Sequence, residues 1–367
     1  MKHLLLLGTG GTIACKRGEN GLTPLLTGDE LLSYVPDAKK FCEVETVQVL
    51  NIDSTNMHPK HWLKLAQVLE ENYDNYDGFV ICHGTDTMAY TAAAMSYLVQ
   101  HSSKPIVITG AQKPIDLDVT DARTNLLDSL RFAASDRAHG VTIVFDGKVI
   151  AGTRGKKERS KSYNAFSSIN FPYLAVIQDE HILYYIDDKW QDRESVRFYH
   201  EMDSQVSLLK LIPSMDSSLL DYMAEHYDAV VIESFGVGGL PSYESGDFYS
   251  SIEKWISMGT EWSPLIPTRF LVSRGTLDPA LLLSISDTRL SRFPAGLPRP
   301  FSYQLQINYA VLTPKDKSSG LGSFPFARRY SGNRCFFLFL RVLRCFSSPG
   351  SLSYTMYSCM STQGLLA

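Results

Sequence analysis

Short apolar runs alternate with amphipathic stretches over the first 259 residues. The apolar runs end in glycine or polar residues and predict buried strands at His3–Gly8, Val47–Ile52, Gly78–Cys82, Pro105–Thr109 and Val141–Phe145. The amphipathic stretches predict helices at Pro59–Tyr73, Met88–Gln100 and Thr120–Ala134. This alternation predicts an α/β fold with a mainly parallel sheet flanked by helices on both faces.

The pattern changes in the second half of the chain. Residues 146–213 are charged, include the run 154-RGKKERSK-161, and predict an irregular connection. A smaller second α/β domain then begins, with a strand at Asp228–Phe235, a turn at Gly236–Gly239 and a helix at Phe248–Met258. We predict an N-terminal catalytic α/β domain (1–189), a linker (190–213), the start of a C-terminal α/β domain (214–259) and an atypical tail (260–367).

Composition separates the tail from the rest of the chain. The net charge is −4 overall. Residues 1–259 carry 23 Lys+Arg against 35 Asp+Glu, whereas residues 260–367 carry 12 against 4. The tail is rich in Ser, Arg and Phe, and its arginines are not clustered as in a nucleic-acid-binding arm. We hypothesise that a shifted reading frame or a mis-spliced gene produced it, which would leave the second domain incomplete; the alternative is a genuine, divergent C-terminal domain.

Net charge and cysteine content indicate which partners and which cellular compartment to expect. A slightly acidic balance gives no indication of nucleic acid or an anionic membrane as partner. Six cysteines without a C-x-x-C pair are typical of a reducing compartment. No apolar run approaches the ~20 residues of a spanning helix, and the N-terminal leucines are too few for a signal peptide. We therefore expect a cytoplasmic protein without nucleic-acid or membrane partners.

Polar, glycine-rich segments follow four of the predicted strands. They are 8-GTGGT-12, 51-NIDST-55, 83-HGTDT-87 and 109-TGAQK-113. Ligands of an open parallel sheet bind beyond the carboxyl ends of its strands. We therefore expect these segments to form one site.

Three common site chemistries fit these segments poorly. A dinucleotide-binding loop requires glycine where Ile13 stands, and no P-loop follows any strand. His58 and His61 have no acidic or cysteine partner nearby in the sequence, which favours surface histidines over a metal site. The G-x-S-x-G elbow of serine hydrolases is absent.

Threonine is the remaining candidate nucleophile. Thr12 and Thr85 each follow a glycine at a strand end, and a threonine hydroxyl becomes nucleophilic when a neighbouring base takes its proton. The alternative is that both threonines simply end strands or cap helices, as β-branched hydroxyl residues often do. The residues alone leave both interpretations open.

The segments 9-TGGTI-13 and 83-HGTDTMAYTA-92 resemble the two signature motifs of the L-asparaginase family, most closely its cytosolic type I members. The resemblance covers about residues 3–259 and includes 52-IDSTNM-57, 78-GFVICHGTDT-87, 108-ITGAQKP-114 and 152-GTRGKKERSKSYNAFSS-168. It implies hydrolysis of L-asparagine to L-aspartate and ammonia through a threonine acyl-enzyme, without a metal or organic cofactor. It also implies a homodimer or homotetramer if the C-terminal domain is intact.

The resemblance assigns catalytic roles position by position. Thr12 matches the nucleophile, and Thr85, Asp86 and Lys157 match a second catalytic set. In that set Asp86 orients Lys157, and Lys157 activates Thr85 or a bound water. The backbone N–H groups of Gly11 and Thr85 are expected to stabilise the oxyanion.

The same resemblance assigns the substrate contacts. Asp53 and Asp86 are expected to pair with the ammonium group of asparagine, and Ser54 with its carboxylate. Thr85 and Gln112 complete the predicted substrate-binding set.

Two features depart from the family pattern. Ala14–Thr27 is expected to form a mobile lid, or else an ordinary surface loop, but Leu22 stands where many members place a tyrosine. The base that activates Thr12 is therefore unassigned. The pattern also predicts no further strand beyond Met258, although the second domain of the family continues there.

Three alternative functions remain open. One is an inactive asparaginase-like protein with a disrupted C-terminal domain, and another is a broader glutaminase-asparaginase. The third is the amidase subunit of the transamidosome, which carries an extra N-terminal domain, whereas here the threonine loop begins at residue 8.

Overall fold

The structure, a computed structural model, describes residues 1–18, 21–186, 194–227, 229–235, 239–243, 246–252, 269–274 and 309–312. The described residues form two compact units, one comprising Met1–Ser204 and the other running from Gln205 onward.

The first unit is built from many short strands and four helices. The strands are β1 (Lys2–Gly10), β2 (Cys15–Gly18), β3 (Gly21–Pro24), β4 (Cys42–Ile52), β5 (Gly78–Cys82), β6 (Val99–Gln100), β7 (Pro105–Thr109), β8 (Gly140–Phe145), β9 (Lys148–Ala151), β10 (Gly155–Lys157), β11 (Phe166–Ser168), β12 (Ala175–Gln178), β13 (His181–Tyr184) and β14 (Arg197–Phe198). The helices are α1 (Gly28–Ser33), α2 (Pro59–Asn72), α3 (Met88–Leu98) and α4 (Ala122–Ala133). In the part of the chain that the structure describes, no helix is long and apolar enough to cross a membrane.

An eight-stranded sheet organises this unit, in the order β13-β12-β9-β8-β7-β5-β1-β4. Strands β4, β1, β5, β7 and β8 pair in parallel, so their carboxyl ends share one edge of the sheet. Strands β9, β12 and β13 extend it in antiparallel fashion. The predicted α/β fold with a mainly parallel sheet is confirmed.

Both faces of the sheet are buried, as the continuous apolar runs predicted. Leu5 and Leu7 of β1 point into one core, which α2 and α3 cover. Leu4 and Leu6 point into the other, which α1 and α4 cover. Because successive side chains of a strand alternate between faces, a run apolar at every position suits a sheet covered on both sides.

Strand β4 begins at Cys42 rather than at the predicted Val47, and two other elements end two residues away from the predicted end. Helix α3 was predicted to reach Gln100 but stops at Leu98, because Val99 and Gln100 pair antiparallel with β14. Strand β1 was predicted to end at Gly8 but continues to Gly10, which pairs with Ile52 after an irregularity in the ladder.

The prediction of an irregular connection over 146–213 was wrong. Strands β9 to β14 all lie within it, and residues 206–210, inside the range assigned to a linker, also form a strand. The strands are two to five residues long. They were missed because such short elements lack a measurable period among charged residues.

The second unit contains a smaller sheet. Its elements are β15 (Val206–Lys210), α5 (Ser218–His226), β16 (Ala229–Ser234), β17 (Ser242–Tyr243), β18 (Gly246–Asp247), β19 (Arg269–Arg274) and β20 (Tyr309–Leu312). Strands β15, β16 and β19 are parallel, and β20 is antiparallel to β19. The sequence pattern predicted no strand beyond Met258, but β19 and β20 lie there. They were missed because each contains only a short run of consecutive apolar residues.

The other predictions for this unit fall partly outside the described residues. The strand predicted from Asp228 begins at Ala229, and the described part of the predicted helix, residues 248–252, is helical. At the predicted turn, Phe235 and Gly239 pair with each other, and the residues between them lie outside the described part.

Candidate active site

Three of the predicted catalytic residues meet directly. The Lys157 Nζ atom lies 2.8 Å from the Thr85 Oγ1 atom and 2.7 Å from the Asp86 Oδ1 atom. Thr85 is buried, and the lysine side chain is only 15% exposed, whereas that of Asp86 is 59% exposed. Thr85 and Asp86 follow β5, and Lys157 ends β10. Residues more than 70 positions apart in the sequence therefore lie within hydrogen-bond distance of each other.

Thr12 reaches the same region through two facing glycines. Gly11 precedes Thr12 and has φ +75°, a value that favours glycine. A Cβ atom at Gly11 would lie 2.3 Å from the backbone N of Gly84, and one at Gly84 would lie 3.2 Å from the Gly11 Cα atom. The loops that carry Thr12 and Thr85 therefore touch backbone to backbone, one residue before each threonine.

The Thr12 side chain is half-buried at the start of a short 3-10 helix, Thr12–Ala14. Its hydroxyl makes no hydrogen bond to any described residue. Leu22, at the position of the family tyrosine, lies on β3 opposite Arg17 of β2. The predicted lid is thus a β2–β3 hairpin that begins three residues after Thr12, with residues 19 and 20 outside the described part.

Asp53 and Ser54 follow β4, beside the Thr12 loop. Asp53 is exposed and uses Oδ1 to accept hydrogen bonds from the backbone and hydroxyl of Thr55, at 2.8 and 2.9 Å. Ser54 is buried; its backbone oxygen accepts a 2.7 Å bond from the Thr87 hydroxyl. Thr87 was assigned no role from the sequence, although it lies within the 83–87 motif; here it joins the loop after β4 to the loop after β5.

Gln112 follows β7 and is engaged with the loop that follows Lys157. Its Nε2 atom donates to the backbone oxygens of Arg159 and Ser162, at 3.4 and 3.2 Å. Its own backbone N–H donates to Asp121, a buried residue that was not predicted from the sequence. Asp121 lies inside the predicted helix Thr120–Ala134, so no local signal indicated this contact.

Of the two backbone N–H groups predicted to stabilise an oxyanion, one already donates a hydrogen bond within the protein and the other does not. The Gly11 N–H donates to the Ile52 backbone oxygen at 3.1 Å, so it already has an acceptor within the protein, which disfavours its predicted role at the oxyanion. The Thr85 N–H donates to no acceptor among the described residues, and neither does the Thr12 N–H. Unlike the Gly11 N–H, these two N–H groups are therefore open to a ligand.

Several other polar groups near the strand ends have structural partners. His58 and His61 cap the start of α2: the His58 N–H donates to His61 Nδ1 at 3.1 Å, and the Lys60 N–H donates to His58 Nδ1 at 3.4 Å. Within the described ranges, no group of three His, Cys, Asp or Glu side chains is placed to hold a metal ion. Cys15 is buried and its thiol donates to the Gly11 oxygen; burial and the charges of Asp53 and Asp116 raise its pKa to about 11.

Comparison with known proteins shows the family of the chain. A family model described as the N-terminal domain of asparaginase matches residues 3–190. An L-asparaginase from Thermococcus kodakarensis is 34% identical over 287 residues, covering 76% of this chain and 87% of that protein. The chain belongs to the asparaginase family.

Other members of this family are similar over comparable lengths. The structure of the thermostable L-asparaginase from Thermococcus kodakarensis superposes with a TM-score of 0.67 at 30% identity, covering 77% of this chain and 86% of that one. A glutamyl-tRNA(Gln) amidotransferase subunit from Pyrococcus furiosus is 34% identical over 269 residues, covering 70% of this chain but only 60% of that protein. The family therefore includes proteins named for two different activities.

Proposed function

We propose that this protein is an L-asparaginase: an amidohydrolase that converts L-asparagine to L-aspartate and ammonia through an acyl-enzyme on Thr12. Membership of the asparaginase family supports amide hydrolysis, and a relative that matches 76% of this chain is named an L-asparaginase. A cytoplasmic location and a homodimeric or homotetrameric state remain predictions from the sequence.

One observation carries the proposal: Lys157 Nζ lies between the Thr85 hydroxyl and the Asp86 carboxylate, at 2.8 and 2.7 Å. A hydroxyl becomes a nucleophile, or activates a water, only when a base within hydrogen-bond reach takes its proton. As the base, Lys157 would accept that proton from Thr85, and Asp86 holds the lysine side chain in place. An ion pair between Lys157 and Asp86 with only a structural role would not require a contact with the buried Thr85 hydroxyl.

The reaction would proceed in two stages. The Thr12 hydroxyl attacks the side-chain carbonyl carbon of asparagine, the oxyanion is stabilised by the free amides of Thr12 and Thr85, and ammonia leaves as the ester forms. A water activated at Thr85 and Lys157 then hydrolyses the ester and releases aspartate. Both stages use the same oxyanion donors.

Substrate recognition would rest on the two charges of the free amino acid. Asp53 and Asp86 are exposed carboxylates at the site edge and suit the ammonium group. The buried Ser54 suits the carboxylate, and Gln112 holds the neighbouring loop in place. A peptide or a simple amide lacks one of the charges, so it would leave one of these groups unpaired.

The test is ammonia release from asparagine by purified variants. Thr12→Ala, Thr85→Ala and Lys157→Met should each lower kcat by about a thousandfold or more, since each removes a group that acts on the reacting atoms. Thr46→Ala on β4 and Lys60→Met on α2 are matched controls and should keep full activity. Full activity in Thr85→Ala would overturn the mechanism.

The same assay addresses the need for a metal. Because every proposed group is a side chain or backbone amide of the protein, dialysis against EDTA should leave the rate of ammonia release unchanged. A loss of activity restored by added divalent cation would contradict the proposed chemistry.

Two related activities are separated by the choice of substrate and partner. Glutamine is longer by one methylene, which changes binding by only ~1–3 kcal/mol, so parallel kcat/KM values for both amino acids decide between an asparaginase and a glutaminase-asparaginase.

The similarity to amidotransferase subunits favours a second candidate function, an ammonia donor that works with a partner. Release of ammonia from free asparagine by the chain alone favours the asparaginase.

A further inference from the structure

A fully buried histidine lies directly beneath the proposed oxyanion site, and the mechanism above does not use it. His83 follows β5 and is 0% exposed. Its Nδ1 atom is 2.7 Å from the backbone oxygen of Gly84, and its Nε2 atom is 2.8 Å from the Thr91 hydroxyl. The indole N–H of Trp62 donates to that same hydroxyl at 2.9 Å.

The partners fix where the imidazole proton sits. A carbonyl oxygen only accepts, so Nδ1 must carry a hydrogen to contact Gly84 at 2.7 Å. Burial lowers the pKa of His83 to about 4, so the ring is neutral near pH 7 and carries no second proton. Nε2 is therefore an acceptor, and the Thr91 hydroxyl donates to it while accepting from Trp62.

The hydrogen bond from Nδ1–H of His83 to the Gly84 oxygen sets the orientation of one peptide group. The C=O of Gly84 and the N–H of Thr85 belong to the same peptide bond and point in opposite directions, because the bond is planar and trans. Since His83 holds the carbonyl on one side, the Thr85 N–H is directed to the other side, where it has no acceptor among the described residues.

We propose that His83 is a positioning residue that holds the Gly84–Thr85 peptide so that the Thr85 N–H faces the developing oxyanion. The chain of bonds runs from Trp62 on α2 through Thr91 on α3 to His83, so two helices brace the donor. The proposal rests on the proposed function, since it assumes that the Thr85 amide contacts the reacting carbonyl.

The two nitrogen atoms of His83 can be replaced one at a time. In His83→Asn the side-chain amide occupies roughly the position of Nδ1 and can still donate to Gly84. In His83→Gln the amide reaches the position of Nε2 and keeps the Thr91 bond but not the Gly84 bond. His83→Leu removes both bonds at similar volume.

Kinetics of these variants with asparagine test the proposal. Removing an oxyanion donor outright costs about 100-fold or more in kcat, so losing only its orientation should cost about five- to tenfold. We expect that loss in His83→Gln and His83→Leu, with KM within about twofold, and kcat within about twofold of the parent in His83→Asn. Equal losses in all three variants, or none in His83→Leu, would overturn the proposal.

A measurement on the unmodified protein is independent of activity. Long-range proton–nitrogen NMR of the intact protein at pH 7 should show His83 as the neutral Nδ1–H tautomer. The Nε2–H tautomer or a charged ring would overturn the proposal even if His83→Leu fails to fold. If the unmodified protein releases no ammonia, the proposed function fails; the NMR result still decides whether His83 donates to Gly84.

Discussion

At the scale of single residues, Gly11 and Gly84 bring the backbones of the two threonine loops into close contact. No side chain larger than hydrogen fits between these two backbones, because a Cβ atom at Gly11 would lie 2.4 Å from the Gly84 Cα atom. This contact places each proposed catalytic threonine one residue beyond it. Glycine at positions 11 and 84 is thus required for the loops that carry Thr12 and Thr85 to approach this closely.

The chain offers a matched control for this requirement. Gly11 and Gly140 have similar positive φ values, +75° and +65°, but a Cβ at Gly140 would meet nothing within 4 Å. Gly140→Ala should therefore lower the free energy of unfolding by about 1 kcal/mol through backbone strain alone. Gly11→Ala should cost roughly 2–4 kcal/mol and abolish ammonia release, because the loops must separate.

Urea unfolding and the ammonia assay check both variants. Equal losses of stability, with activity retained in Gly11→Ala, would show that the contact between the loops is not needed.

At the scale of elements, the edge formed by the parallel strands was predictable and the loops that complete it were not. The carboxyl ends of β1, β4, β5 and β7 carry the predicted polar segments, and the alternation of strands and helices was sufficient to bring them together. Lys157 was identified only from the family resemblance, because β10 has three residues and no recognisable period. Thr87 and Asp121 were missed because a hydroxyl or carboxylate that bonds the backbone of another loop leaves no mark in local sequence.

Helix α4 contains an aspartate, Asp128, that is largely buried, so its charged form is disfavoured in the folded protein. Burial raises the pKa of Asp128 to about 6, although Arg131, one turn later, partly offsets the shift. Because the folded pKa lies above the unfolded value of 3.8, the protonated form favours the native state, and that contribution is lost as pH rises through about 6. Asp128→Asn should therefore stabilise the protein at pH 8 by on the order of 2 kcal/mol, and the gain should vanish below pH 4.

Thermal or urea unfolding at pH 8, 6 and 4 checks this pH dependence, with the exposed Asp118→Asn as control. A gain that is the same at all three pH values would contradict the role of the charge.

At the scale of the whole molecule, the proposed catalytic groups all belong to the unit Met1–Ser204. The match to the Thermococcus kodakarensis protein covers 76% of the chain, a longer stretch than residues 3–259. Strand β19 also continues the second sheet in parallel with β16. The family resemblance therefore extends beyond Gly259, where composition changes, and we expect the break nearer residue 280.

Intact-mass measurement and peptide mapping of the protein from its native source test this break. The sequence as it stands has a mass of 41.0 kDa. If a shifted reading frame or mis-splicing produced the tail, the native protein should have a different mass, and peptides from residues 281–367 should be missing while those from 1–259 are found. Peptides from 260–280 then locate the break, because they are retained only if β19 is the native continuation. A mass of 41.0 kDa with peptides through Ala367 would instead establish a divergent C-terminal domain. The positive charge of residues 260–367 would then be a property of the native protein.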